Sequence, residues 1–139
     1  MVRQPSREIR VPFQVGSDGG IAWTDDPVIQ AMQHVLSVVV TNPGERVMRP
    51  DYGVPVYSAL FNSNDEIVQS DLRSRMDEAL GRWLPNVEIV VIDFIGTNDE
   101  IGLMEFNIQF RLTGSPTIHT ATINVGGAVT ETIHPLAQE

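Results

Sequence analysis

Apolar residues recur at helical spacing in two stretches of this chain and then alternate at strand spacing. In the first stretch Val28, Met32, Val35, Leu36 and Val39 fall on one face of a 3.6-residue period, which predicts a helix. It starts at Asp25 or Asp26, takes Pro27 into its first turn and ends by Asn42-Pro43. The β-branched run Val38-Val39-Val40 lowers helix propensity without forbidding burial. Ser63-Asn64-Asp65-Glu66 has the pattern of a capping box and opens a second helix. Ile67, Leu72, Met76, Ala79, Leu80 and Trp83 are expected on its buried face. Asp71, Arg73, Arg75, Asp77, Glu78 and Arg82 are expected mainly on the solvated one, with Asp71–Arg75 and Glu78–Arg82 at ion-pair spacing. Pro85 stops the helix.

Beyond Pro85 the period becomes two. Val87 to Ile95 is apolar on both faces apart from Glu88 and Asp93, the pattern of a central strand. Gly96 to Glu100 predicts a turn. From Leu103 to Leu112, Met104, Phe106, Ile108, Phe110 and Leu112 alternate with Glu105, Asn107, Gln109 and Arg111, as in a half-buried antiparallel strand. After Gly114-Ser115-Pro116, Thr117 to Val125 is the last expected strand. Two readings of it stay open: an edge ready to accept another strand, or a strand that is central or covered by the tail. Near the start, Arg10 to Val15 and Gly20 to Trp23 are short extended pieces around a Gly-Asp turn, and Pro12 makes the first an edge or a non-strand. Val54 to Phe61 is short and apolar, and Tyr57, Leu60 and Phe61 suit a helical turn under the preceding loop. The fold expected is α+β: a two-layer single domain with two main helices on a mostly antiparallel sheet and a C-terminal β-hairpin. It spans residues 11–125, between a flexible arm (1–10) and a flexible tail (126–139).

Composition narrows the function. The chain has 139 residues, about one domain's worth, and 42% are apolar, enough for one core. There is no cysteine, which excludes thiolate chemistry and disulfides. No apolar run is long enough to span a bilayer, and the polar, basic start carries no apolar leader, so neither membrane insertion nor secretion is expected. A net charge of −9 argues against nucleic-acid binding and suits docking on a basic protein surface. All basic residues are arginine. That is a composition bias or a preference for bidentate pairing with carboxylates. His34, His119 and His134 have no metal-site spacing, no nucleophile elbow is present, and without lysine there is no phosphate loop. No cofactor or metal is implied, and the chain offers no sign of an enzyme.

The densest cluster of backbone-shaping and charged residues lies between the helices, at Asn42-Pro43-Gly44-Glu45-Arg46-Val47-Met48-Arg49-Pro50-Asp51-Tyr52-Gly53. Two prolines and two glycines exclude a helix throughout, and the loop is expected to be held by its own arginines and acids. Glu45 and Asp51 are the acids available for muramidase chemistry, but Arg46 and Arg49 beside them disfavour a protonated general acid at neutral pH.

Pro43, Gly44, Glu45 and Arg46 followed by Pro50, Asp51, Tyr52 and Gly53 resemble the signature loop of the baseplate wedge (sheath-initiator) family of contractile phage tails, tailocins and type VI secretion baseplates. The resemblance runs over about residues 11 to 112. It implies a non-enzymatic virion component of the tail baseplate, assembled in the host cytoplasm in multiple copies around a six-fold axis. Its implied partners are the tail sheath protein, other wedge proteins and the central hub or tube proteins. The family's C-terminal hairpin, matched by residues 102 to 125, is extended by sheath strands, so Thr117, Ile118, His119, Thr120, Ala121, Thr122 and Ile123 become sheath-docking candidates. The family commonly has Glu-Pro-Arg after the second helix, whose charges hold the wedge. Here Leu84-Pro85-Asn86 stands there, and Arg82, Trp83, Leu84, Pro85 and Asn86 are the wedge-contact candidates, with Arg82 and Glu88 as substitutes for the missing charges. A muramidase-like hydrolase and a regulatory adaptor of the same fold are the alternatives.

Overall fold

The computed structural model describes residues 7–10, 13–60, 65–98, 103–126 and 131–135, with only the backbone described at 97, 98 and 131–135. The first helix, α1 (Pro27–Val40), is capped by Asp26, whose Oδ1 accepts a hydrogen bond from the Val28 N–H at 2.9 Å. Met32, Val35, Val38 and Val39 are buried as their spacing requires, so the β-branched run is a packing surface. A short helix, α2 (Val56–Ala59), follows the loop and buries Val56, Ala59 and Leu60, while Tyr57 points partly to solvent. Phe61 lies outside the described residues. The long helix α3 (Glu66–Trp83) starts at Asp65 rather than Ser63: the Asp65 side chain accepts from the Ile67 N–H at 2.8 Å. Ser63 and Asn64 lie outside the described residues. Leu72, Met76, Ala79 and Leu80 are buried as expected, but Ile67 is 78% exposed. In the first turn of a helix a residue can match the apolar spacing and still overhang the layer it should cover.

Two sheets form. The small one pairs β1 (Glu8–Ile9) with β2 (Trp23–Thr24), so the arm expected to be loose is strand at Glu8 and Ile9. Glu8 pairs with His34 at 3.0 Å, and the Gln33 side chain donates to the Ile9 carbonyl, which ties this ribbon to α1. Asp18 accepts from the Gly20 N–H within the expected turn. Val11 and Pro12 lie outside the described residues.

The main sheet is antiparallel with order β3-β4-β5-β6, built from β3 (Val87–Asn98), β4 (Leu103–Leu112), β5 (His119–Val125) and β6 (Glu131–Pro135). On β4, Met104, Phe106, Ile108 and Phe110 are buried, and on β5 so are His119, Ala121, Ile123 and Val125. Helix α3 lies over β3, α1 lies over β5, and the helices touch each other, giving the expected two-layer α+β fold.

Three expectations change. First, β3 is an edge strand among the described residues, not a central one. Its register slips between Ile89 and Val91 and again between Phe94 and Gly96. A bulge inserts one residue and reverses which parity faces the core. Val87 and Ile89 therefore share a face with Ile92 and Phe94, and the run mimics a strand buried on both faces. Second, β3 continues through Gly96 to Asn98, where a turn was expected. Third, β5 is interior. It starts at His119, after Thr117 and Ile118, and β6 pairs along its far side from Ile123–Glu131 to His119–Pro135. The expected flexible tail thus contains a strand, and of the two readings open for Thr117 to Val125 the covered, central one holds.

Candidate functional site

The loop between α1 and α2 is held mainly by what lies outside it. Thr41, just past α1, donates its hydroxyl to the Ser37 carbonyl at 2.5 Å. The Thr41 carbonyl accepts from the Val54 N–H at 2.9 Å, which closes the base of the loop. Gly53 sits in that closure at φ +107°, against Thr41. Glu45 turns back on Asn42: its carboxylate accepts from the Asn42 N–H at 3.0 Å and from the Asn42 side-chain amide at 3.2 Å. Pro43 and Gly44 form the turn between them, Gly44 at φ +93°.

The arginines do not pair with the loop's acids, contrary to expectation. The Arg46 guanidinium lies 3.9 Å above the Tyr52 ring and donates to Ser37 Oγ at 3.0 Å. Tyr52 is buried, its hydroxyl 3.1 Å from Ser37 Oγ and its ring 5.2 Å from that of Trp83. The Arg49 guanidinium lies 5.2 Å from the Trp83 ring centre, and that of Arg82 lies 5.0 Å from it. Asp51, next to Pro50, forms its ion pair with Arg82 of α3, while Glu78 leaves Arg82 to it and Asp71 keeps Arg75 at 2.8 Å. An aromatic pair with arginines stacked on it fastens the loop to the end of α3. Arg46 and Arg49 have no carboxylate partner among the described residues.

Of the wedge-contact candidates, Arg82 and half-buried Trp83 belong to this fastening, and Pro85 and Asn86 are exposed. Leu84 is buried in the core and is not available at the surface. Asn86 accepts from the Thr113 N–H at 3.0 Å, and Glu88 pairs with Arg111 across β3 and β4, so Glu88 is already engaged. The sheath-docking candidates divide by face. His119, Ala121 and Ile123 pack into the core, and Thr120 and Thr122 lie on the opposite face, where Thr122 donates to the Asn107 side chain at 2.6 Å. Sequence reasoning missed Ser37 and Thr41. The only signal was their four-residue spacing at the end of a helix that runs into the loop.

Glu45 and Asp51 are each exposed and committed to a structural partner. Among the described residues no group of histidine and acidic side chains is placed to hold a metal ion. Asp51→Asn removes a solvent-exposed ion pair and is expected to lower stability by at most about 1 kcal/mol. Chemical denaturation in urea at low salt and at about 1 M salt checks this, because screening should shrink the difference.

Solved structures with a similar overall fold include two from tail systems. One is a Geobacter sulfurreducens protein described as a candidate tail lysozyme, 21% identical over 73% of this chain and 91% of its own, with a TM-score of 0.63. Another is a chain of the anti-feeding prophage baseplate, 22% identical over 80% of this chain and 88% of its own, with a TM-score of 0.65. No curated protein sequence matches this chain. The family model described as baseplate wedge protein gp25 matches residues 25–117, two-thirds of the chain, and the chain belongs to that family. It is therefore a structural component of a tail baseplate, located there. Among the described residues no helix is long and apolar enough to cross a membrane.

Proposed function

We propose that this chain seats the tail sheath on the baseplate wedge and that a sheath strand joins it at the outer edge of β6. The observation that supports this is the strand order, which puts β6 last with its far side unpaired among the described residues. An unpaired edge presents a row of N–H and C=O groups that a strand from another chain can complete. The opposite edge, β3, is interrupted by two bulges, a common protection against such pairing. The docking site thus moves one strand outward from Thr117–Val125, while those residues keep the hairpin that supports it.

The test is proline substitution along β6. In an antiparallel strand successive N–H groups point to opposite edges. Glu131→Pro, Thr132→Pro, Ile133→Pro and His134→Pro are therefore expected to fall into two alternating sets. One set loses hydrogen bonds to β5 and melts lower. The other keeps its melting temperature and loses co-purification with the sheath protein. Variants of the second set that still hold sheath as well as the unsubstituted chain would sink the proposal. A chain cut at Gly114 is no substitute, since it removes Ala121, Ile123 and Val125 from the core.

A further inference from the structure

The tip of the α1–α2 loop is apolar, exposed and rigidly supported. Val47 is 94% exposed and Met48 is 89% exposed, the two most exposed of the large apolar side chains described. Nothing in the fold requires them to be apolar. They are bracketed by Arg46 and Arg49, whose guanidiniums are held on the Tyr52 and Trp83 rings and lack carboxylate partners among the described residues. In a chain of net charge −9 this is a local cationic collar around an apolar point. Fastening at Gly53, Tyr52 and Asp51 means that docking the tip orders little new backbone, so little entropy opposes it. Arginine and aromatic residues dominate the centres of protein interfaces, and methionine adapts to an imperfect pocket.

We infer that Val47 and Met48 insert into an apolar pocket of another baseplate protein, and that the pocket is rimmed by carboxylates facing Arg46 and Arg49. Charge complementarity selects this occupant. The chain as a whole carries net charge −9 and disfavours an acidic partner, whereas Arg46 and Arg49 attract one at this tip, so the collar sets orientation as well as contact. Two side chains are far too little area for a stable dimer of this chain, which needs about 800 Å² from each partner. The contact instead adds to others in an assembly already held together. It is separate from sheath docking and stands without it.

The experiment uses the full-length chain and, as probe, the co-expressed wedge complex lacking this chain. Met48→Asp places a carboxylate against the proposed rim and is expected to weaken binding by about tenfold or more, whereas Met48→Lys should weaken it far less. Both variants should keep the denaturation midpoint of the parent, since the side chain lies in solvent, and should match the parent in any sheath co-purification the parent shows. Equal loss with Asp and Lys overturns the acidic rim, and unchanged binding with both overturns the contact. Loss of sheath instead of wedge overturns the assignment of partner. A photo-crosslinking phenylalanine analogue at Met48 in assembled particles should label another baseplate protein. Labelling only a second copy of this chain, or binding of the parent to anionic lipid vesicles that Met48→Asp abolishes, also overturns it.

Discussion

Gly53→Ala should cost about 3 kcal/mol or more of folding stability, a large part of what a domain this size has. A Cβ on Gly53 would lie 2.0 Å from the Thr41 carbonyl oxygen and 2.8 Å from its carbon. Both are backbone atoms, and that oxygen also accepts the Val54 N–H, so it cannot withdraw without opening the base of the loop. The positive φ adds about 1–2 kcal/mol of its own. Gly44→Ala separates the two effects. Gly44 has a similar φ of +93°, but a Cβ there meets nothing within 4 Å, so only the conformational part should appear. Urea denaturation of the two variants should show a much larger fall in midpoint for Gly53→Ala, with little change in slope. Equal losses would mean that φ alone matters and that the closure at Thr41 is soft.

Phe106→Ala should cost about 3–5 kcal/mol. Phe106 is fully buried at the middle of β4, in register with Phe94 on β3 and Ile123 on β5, with the Phe94 ring 6.0 Å away. Truncation there opens a cavity shared by three strands, which hydrogen bonding holds in place and keeps from collapsing. Ile67→Ala is the matched comparison, because its spacing placed Ile67 on the buried face of α3. With the side chain largely in solvent, the change should stay within about 0.5 kcal/mol. Thermal or chemical denaturation distinguishes these outcomes directly. A cost at Ile67 near that at Phe106 would mean that the start of α3 is covered.

Features that depend on near neighbours along the chain were legible in the residues alone. Helix α1 begins at Pro27 with Asp26 as its cap and ends at Val40, within two residues of the expected limits. Helix α3 ends before Pro85, and β4 has the expected bounds and the expected alternation. Helical and strand periodicity are written at separations of two to four residues, and caps and proline stops act at the same range. The resemblance carried by Pro43 to Gly53 rests on a contiguous motif as well, and the family match agrees with it.

Long-range contacts set which strand is an edge, which parity of β3 faces the core, and what the loop arginines touch. The two bulges in β3 reverse its parity without changing its composition, so the apolar run did not distinguish an edge strand from a central one. Arg46 and Arg49 rest on aromatic rings rather than on Glu45 and Asp51, because a guanidinium stacks as readily as it pairs, and the rings arrive from folding α3 against the loop. Leu84 sits beside the exposed Pro85 and Asn86 yet is buried, since the chain turns inward there to begin β3. Each of these outcomes depends on residues far apart in the chain, and non-local contacts of that kind leave no local period to read.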